Sequence, residues 1–441
     1  MVDVAAGCVP CRGISHLGHG WYGRRMRRRL PPALRERDFA FLWSAILGMR
    51  FAEQMLAVAV GWQVYSIHRN PLDLGLIGLA EFLPLPLLAL PAGQLADRLP
   101  RKLIAAFALL LNVGIASALI VVTLHGARQV WPFFALAVCS GVSSAIGWPA
   151  LGALTPELVP TELLPGAMAL RSIAGQGAVV AGPAAGGLIF AARPELVYVV
   201  AAALFAAALG SMLAVRRRES LREIAGEGPP GLESLVAGVR FVLRTRMLLG
   251  AIALDLFAVL FGGATALLPV FARSILHVGP AGLGILRTAP ALGALIAAVI
   301  LVRRPLQRRA GPVLIAVVAI FGASMVVFGL SRWLPLSLAA LGVGGFADMI
   351  SMNIRSTTVA LVTPNELRGR VTAVEMVFIS ASNELGAFES GVVAALIGTV
   401  TAVVAGGVAT IAIALSWTRL FPALSRMGRL EDLRPEPVAA E

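Results

Sequence analysis

Hydrophobic residues in this chain fall in long runs, and polar residues collect in short clusters between them. The runs reach about 20 residues or more, the length a helix needs to cross the hydrocarbon of a bilayer. Twelve such segments are read, at roughly 39–67, 74–95, 103–124, 132–154, 164–191, 195–215, 248–275, 281–302, 312–331, 334–361, 370–396 and 399–421. Strands of a transmembrane barrel would be short and would alternate apolar with polar positions, so a barrel is excluded. The expected fold class is an all-α polytopic membrane protein with twelve transmembrane helices in two six-helix, pseudo-symmetric bundles. The expected division is a basic, unfolded cytoplasmic tail over 1–38, a first bundle over 39–215, a cytoplasmic linker over 216–247, a second bundle over 248–421 and a cytoplasmic tail over 422–441. The linker breaks at "GPPG" (228–231) and then predicts a short amphipathic helix.

Composition agrees with the pattern. Of 441 residues 58% are hydrophobic and 14% charged, and the mean hydropathy is +0.84, which leaves too little polar surface for a soluble chain of this length. The net charge of +13 would suggest a nucleic-acid partner in a soluble protein, but its placement argues for topology. The side holding both termini carries 28 of the 37 Lys and Arg residues. The opposite side has five (Arg69, Arg128, Arg193, Arg273, Arg332), and four lie within spans (Arg50, Arg171, Arg287, Arg355). That asymmetry predicts both termini in the cytoplasm of a multi-pass protein of the bacterial inner membrane, with the lipid bilayer and no nucleic acid as partner.

Little points to other chemistry. Three cysteines (Cys8, Cys11, Cys139) give no disulfide framework, and Cys8, Cys11, His16 and His19 are spaced too tightly for an ordinary zinc finger, so no metal is expected. Residues 1–38 lack the apolar core of a signal peptide, and Met26 opens a plausible second start. There is no Gly-x-x-x-x-Gly-Lys-Ser/Thr loop for ATP and no nucleophile–base constellation around the five histidines. No cofactor and no enzymatic activity are expected.

The halves of the chain resemble each other. "TELLPGAMALRSIAGQGAVVAGPAAGG" (161–187) aligns with "NELRGRVTAVEMVFISASNELGAFESG" (365–391) at a constant offset of 204, matching Gly182 to Gly386 and Gly187 to Gly391. Parallel repeats of this kind place a substrate path between the halves.

"GQLADRLPRK" (93–102), between the second and third spans, is similar to a signature of the major facilitator superfamily, with Pro100 where that signature has glycine. With the twelve spans and the long central loop, the chain resembles that superfamily over about 39–421. The segment "TPNELRGRVTAVEMVFISASNELGAFESG" (363–391) is similar to the branch of enterobactin exporters and related secretion transporters. The resemblance implies that Gly93, Asp97, Arg98, Arg101 and Lys102 form a cytoplasmic gate. Asp97 would accept hydrogen bonds at the start of the eleventh helix, where an anion is favoured. The three cations would hold adjoining helix ends. The alternative is that they enforce topology alone. "AGPAAGG" (181–187), with Gly182, Pro183, Gly186 and Gly187, resembles an antiporter and exporter motif; ordinary small-residue packing is its alternative.

Ionisable groups at mid-span cost at least about 2.5 kcal/mol each and normally face protein or a wet cavity. Arg50, Glu53, Asp255, Asp348, Arg355, Glu375 and Glu389 are the candidate lining of such a cavity; Glu81, Arg171 and Glu384 also lie in spans, and Arg287 is placed near a span end, where it could snorkel. Asp348, Ser351, Met352 and Arg355 form one helical stripe. Asp348, Glu53 and Glu389 are the carboxylates expected to exchange protons, against the alternative of fixed interhelical ion pairs. The fourth span lacks the arginine often found in the superfamily's drug/proton antiporters. The expected function is export of a small amphiphilic compound, siderophore or drug-like, by a monomer driven by the proton gradient; a metabolite importer on the same fold and a non-transporting sensor are the alternatives.

Overall fold

The computed structural model describes residues 31–88, 99–216, 232–305, 309–364, 367–429 and 433. Its helices are α1 (Arg37–His68), α2 (Pro71–Phe82), α3 (Arg101–Leu124), α4 (Trp131–Leu158), α5 (Leu164–Ala192), α6 (Pro194–Ala214), α7 (Leu232–Arg244), α8 (Arg246–Gly262), α9 (Gly279–Arg303), α10 (Ala310–Leu330), α11 (Leu334–Val362), α12 (Arg368–Ile397) and α13 (Thr399–Leu420). After a turn at Leu83 the second span continues to Leu88. Among the described residues there is no strand. Proline occupies one of the first two positions of α2, α4, α5, α6, α9 and α11, where its missing N–H would have been unpaired in any case. Among the described residues ten helical segments are long and apolar enough to cross a membrane. The first and eleventh spans, α1 and α12, complete the twelve; they are 32 and 30 residues long but carry charges along their length.

The helix pairings repeat between the halves. In the first, α1 packs on α5 and α6, α3 on α4 and α6, and α2 on α4. In the second, α8 packs on α12 and α13, α10 on α11 and α13, and α9 on α11. Repeat-matched glycines have matched contacts. A Cβ on Gly182 would stand 2.6 Å from Gln54 of α1, and one on Gly386 would stand 3.1 Å from Leu260 of α8. Gly187 lies against the Pro280 carbonyl of α9, and Gly391 against Gly75 of α2. The first glycine of each pair seats a helix of its own half, and the second seats a helix of the other half. That is the physical content of the aligned segments.

The halves meet through α5 with α9 and α2 with α12. One apolar core crosses between them near the face holding Arg69, Arg193 and Arg273: Tyr65, Leu74, Phe133 and Tyr198 pack in the same cluster as Leu267, Phe271, Leu283 and Phe328. Hydrogen bonds between described residues of the two halves lie between mid-bilayer and that face. They join Tyr65 to Ser274 at 2.9 Å, Arg273 to the Ser66 hydroxyl, Thr288 to the Val180 carbonyl at 3.0 Å and Arg287 to the Ala57 carbonyl at 3.4 Å. Toward the opposite face, which holds Lys102, the cores separate. One belongs to the first half alone, around Phe39, Leu42, Leu109 and Phe205. Two belong to the second, around Leu254 and Trp417 and around Leu248 and Val359. Among the described residues one apolar core thus joins the halves at one face, and each half has cores of its own at the other.

One span departs from its expected form. Residues 248–275 read as a single apolar helix, but α8 stops at Gly262, Gly263 leaves the helical region, and the chain resumes in a 3-10 turn and a π-helical turn over Phe271–Ile275. Pro269 cannot donate to the carbonyl of Thr265, which favours the interruption. The Gly263 carbonyl instead accepts from the Ser390 hydroxyl of α12 at 3.1 Å, so the freed group stays satisfied. The amphipathic α7 lies on α12, with Gly238 against the Arg370 carbonyl.

Backbone proximity predicts where side chains are forbidden. A Cβ on Gly345 of α11 would stand 2.0 Å from the Pro290 carbonyl of α9, whereas one on Gly210 of α6 would meet nothing within 4 Å. Gly345→Val is expected to lower the thermal unfolding midpoint in detergent, at a cost of about 1–3 kcal/mol. Gly210→Ala is expected to leave it unchanged or raise it, by up to about 1 kcal/mol. Equal midpoints for the two variants would contradict the packing.

Candidate functional site

Charged side chains within the spans form one cluster in each half. In the first half, Arg50 and Glu53 sit one turn apart on α1, and Nη1 of Arg50 is 3.5 Å from Oε2 of Glu53. The Arg50 guanidinium lies 3.4 Å above the centroid of the Trp148 ring on α4. Arg171 of α5 donates to the Thr155 hydroxyl at 2.7 Å and to the Gly152 carbonyl at 3.1 Å, both on α4. Local sequence supplies the second acceptor: Pro156 has no N–H to close a helical bond onto Gly152, four residues earlier, and the freed carbonyl takes Arg171.

In the second half, Arg355 of α11 is 4% exposed and stands between Asp255 of α8 and Glu375 of α12. Its Nε donates to Oε1 of Glu375 at 3.3 Å, and its Nη1 meets Oδ1 of Asp255. Asp348, two turns away on α11, is within electrostatic reach of both Asp255 and Arg355. Two carboxylates thus contact one guanidinium with a third in electrostatic reach, and Ile252, Leu256, Phe378 and Ile379 line a small pocket beside them within the second half. Glu389 is not in this group; it follows Glu375 by 14 residues, about 21 Å along α12, and lies beside Ser390.

A third group joins the halves. Arg287 does not snorkel to the interface but donates to the Ala57 carbonyl of α1, within electrostatic reach of Glu81 and Glu384. Glu81 accepts from Ser140 at 3.1 Å. The Glu384 carboxylate lies where Gly78 leaves room, 3.2 Å from the position of a Cβ there. Sequence reasoning missed this group because its members sit on α2, α9 and α12, far apart in the chain, with no shared periodicity.

Of the expected gate, Gly93, Asp97 and Arg98 lie outside the described residues. Arg101 pairs with Glu157 at the end of α4. Lys102 donates to the Leu213 carbonyl at 2.9 Å and to the Val215 carbonyl, at the end of α6, where exposed carbonyls favour a cation. In the AGPAAGG segment, Gly182 and Gly186 abut Gln54 and Met55 of α1. Gly187 abuts Pro280, and the Pro183 carbonyl lies 2.4 Å from where a Cβ on Gly284 would stand. These residues form the junction of α1, α5 and α9.

Residues 30–435 match the family model described as transmembrane secretion effector, a family of the major facilitator superfamily (MFS). The chain is 26% identical over 371 residues to the MFS-type transporter YfiS of Bacillus subtilis, covering 80% of this chain and 85% of that protein. It is also 26% identical over 397 residues to the enterobactin exporter EntS of Escherichia coli, covering 88% and 92%. Among solved structures, a bacterial homolog of the human lysosomal transporter Spinster, inward-facing and unoccupied, superposes with a TM-score of 0.69 at 15% identity, covering 91% of this chain and 99% of that one. A D-xylose–proton symporter superposes at 0.63 and 14%, covering 88% and 98%. At such identities these structures establish the fold alone.

Breaking a buried ion pair from one side costs about 3–5 kcal/mol because the remaining charge is uncompensated. Arg355→Gln is accordingly expected to destabilise the protein in thermal unfolding, and adding Asp255→Asn is expected to recover part of the loss. An Arg355→Gln variant as stable as the parent would show that the cluster is not a coupled ionic unit.

Proposed function

The chain belongs to the transmembrane secretion effector family of major facilitator transporters, and on that premise we propose that it exports a small amphiphilic compound from the cytoplasm by alternating access, driven by the proton gradient. The observation that carries this reading is the pairing of one core shared across the halves at one face with separate cores at the other. The Arg and Lys distribution puts the parted face toward the cytoplasm. In this reading the conformation is inward-open, ready to load substrate from inside, in an inner membrane with both termini cytoplasmic. Each chain contains both halves and works as a monomer.

Export requires the seal to open and the parted face to close. The seal includes Arg287, which donates to the Ala57 carbonyl and lies within electrostatic reach of Glu81 of one half and Glu384 of the other; parting the halves there separates Arg287 from Ala57 and Glu81. On the cytoplasmic side, Asp97 would meet the start of α12 as the face closes. A breakable contact suits this role, since exposed ionic contacts contribute under about 1 kcal/mol each. The carboxylates around Arg355 are the proton-coupling group: protonating one loosens its hold on a guanidinium shared by α8, α11 and α12. Asp348, which lacks a direct contact to Arg355, is the member free to exchange, and Glu53 is its counterpart beside Arg50. A mostly apolar cleft with a few polar anchors suits a siderophore or drug-like substrate.

The test is a deletion strain challenged with toxic compounds and with iron limitation, complemented with wild type, Asp348→Asn or Asp97→Asn. Wild type is expected to restore growth, and both variants to fail at equal membrane abundance. Variants indistinguishable from a rescuing wild type would remove both assigned roles. Accumulation of the compound in right-side-out vesicles, instead of extrusion, would reverse the direction.

A further inference from the structure

The linker helix α7 has three faces, read at about 100° per residue. The first is turned to the protein. Gly238 abuts the Arg370 carbonyl at the start of α12, Val242 is buried with Val371 and Val374, and Phe241 packs on the same core. The second is apolar and open: Val239 is 36% exposed, and Leu243, one turn on, is 58% exposed. The third, about 100° further round, carries Arg240 and Arg244, both exposed.

The side of α12 under α7 is a lipid-facing one. Val374, Phe378, Ala381 and Leu385 follow at helical spacing and make one apolar stripe, on which Leu385 is 40% exposed. Thr372 and Asn383, polar and exposed, fall on the opposite face of that helix. An open apolar stripe on a spanning helix meets acyl chains, so α7 lies where that stripe reaches the end of the span. This is the face holding Lys102, where α8 begins at Arg246 and α12 at Arg368.

Charge at this level is basic. Arg244 ends α7, Arg246 opens α8 and Arg370 lies in the first turn of α12, and all three are exposed. Leu433 packs on the same core as Val242, which brings the segment around it alongside. Across 232–246, 363–370 and 429–434 there are seven arginines against four acids, Glu233, Glu366, Glu431 and Asp432. One protein face, one apolar face and one basic face, set at the end of a span, are the form of an interfacial helix. The bilayer edge is the apolar phase within reach of Val239 and Leu243, and its headgroup phosphates complement the arginines.

We infer that α7 is a membrane-surface helix that binds anionic phospholipid. Val239 and Leu243 lie among the acyl chains, and Arg244, Arg246 and Arg370 receive the headgroup phosphates. Through Gly238 and Val242 the helix anchors the start of α12 at that level. The inference does not depend on what the chain transports.

The test uses the full chain with Cys8→Ser, Cys11→Ser and Cys139→Ser, and an environment-sensitive fluorophore on Leu243→Cys. It is placed in phosphatidylcholine nanodiscs holding a trace of acceptor-labelled phosphatidylglycerol or acceptor-labelled phosphatidylcholine. The fluorophore is expected to emit as in an apolar medium. Energy transfer is expected to report at least about threefold local enrichment of phosphatidylglycerol, since one arginine near an anionic surface favours it roughly fivefold. Arg244→Gln with Arg246→Gln is expected to bring the enrichment close to none. Arg303→Gln with Arg304→Gln, exposed on the same face at the end of α9, is expected to leave it unchanged. Equal transfer to both lipids, or an equal loss with the α9 pair, would overturn the inference. Water-like emission, or apolar emission only when two chains share a disc, would do the same, the latter assigning the strip to a second copy. If the labelled chain fails to fold, the unlabelled wild type decides. Its unfolding midpoint is expected to rise when phosphatidylglycerol is added to the disc, and Arg244→Gln with Arg246→Gln to lose most of that rise; no rise, or a rise untouched by the pair, would refute the site.

Discussion

A guanidinium or carboxylate turned toward hydrocarbon is costly enough that a helix carrying one must be enclosed by other helices or by water. This constraint organises the molecule. The charges of α1 (Arg50, Glu53) and α12 (Glu375, Glu384, Glu389) keep those helices off the lipid and against the cleft or the other half. Around them, the more uniformly apolar α3, α6, α10 and α13 complete each bundle. Once two such bundles exist, their polar walls must face each other, and water between them is the only solvent that tolerates the walls when they part.

Much of that arrangement is legible in the sequence, for identifiable reasons. Span positions follow from apolar run length, because nothing but a helix can satisfy its own backbone in lipid. The repeat followed from Gly182 with Gly386 and Gly187 with Gly391, and those glycines mark the same junction in each half because close backbone approach leaves no room for a side chain. The stripe through Asp348 and Arg355 was legible from spacing along one helix. Three features were not. The break at Gly263 is invisible to hydropathy, since a broken apolar segment is as hydrophobic as a continuous one. The grouping of Glu81, Arg287 and Glu384 depends on how two bundles dock. The bond from Arg171 to Gly152 depends on a proline four residues past the acceptor, a local defect whose use is decided by a neighbouring helix.

The seal and the cleft are linked by the same helices. α5 carries Arg171 toward the parted face and Gly187 toward the sealed face, where it touches α9. α12 carries Glu375 toward the parted face and Gly391 toward the sealed face, where it touches α2. A tilt of either half about these contacts therefore moves a cleft-wall charge in the opposite sense to the seal. In the proposed cycle a charge bound or neutralised between the halves would bias the tilt without any flexible lever, because a packed helix moves as a rigid rod.

Duplication explains the scaffold, and divergence explains its use. Glycine contacts stay matched in both halves because each has a neighbouring helix within 3.1 Å of where a Cβ would stand. The wall charges carried no such requirement, and they differ: arginines in the first half stand where carboxylates stand in the second. Two identical walls would hold a ligand symmetrically and give protonation no means of distinguishing loading from release. In the proposed export cycle that difference is what would let a proton gradient act directionally on a ligand, in a scaffold whose helix packing is nearly symmetric.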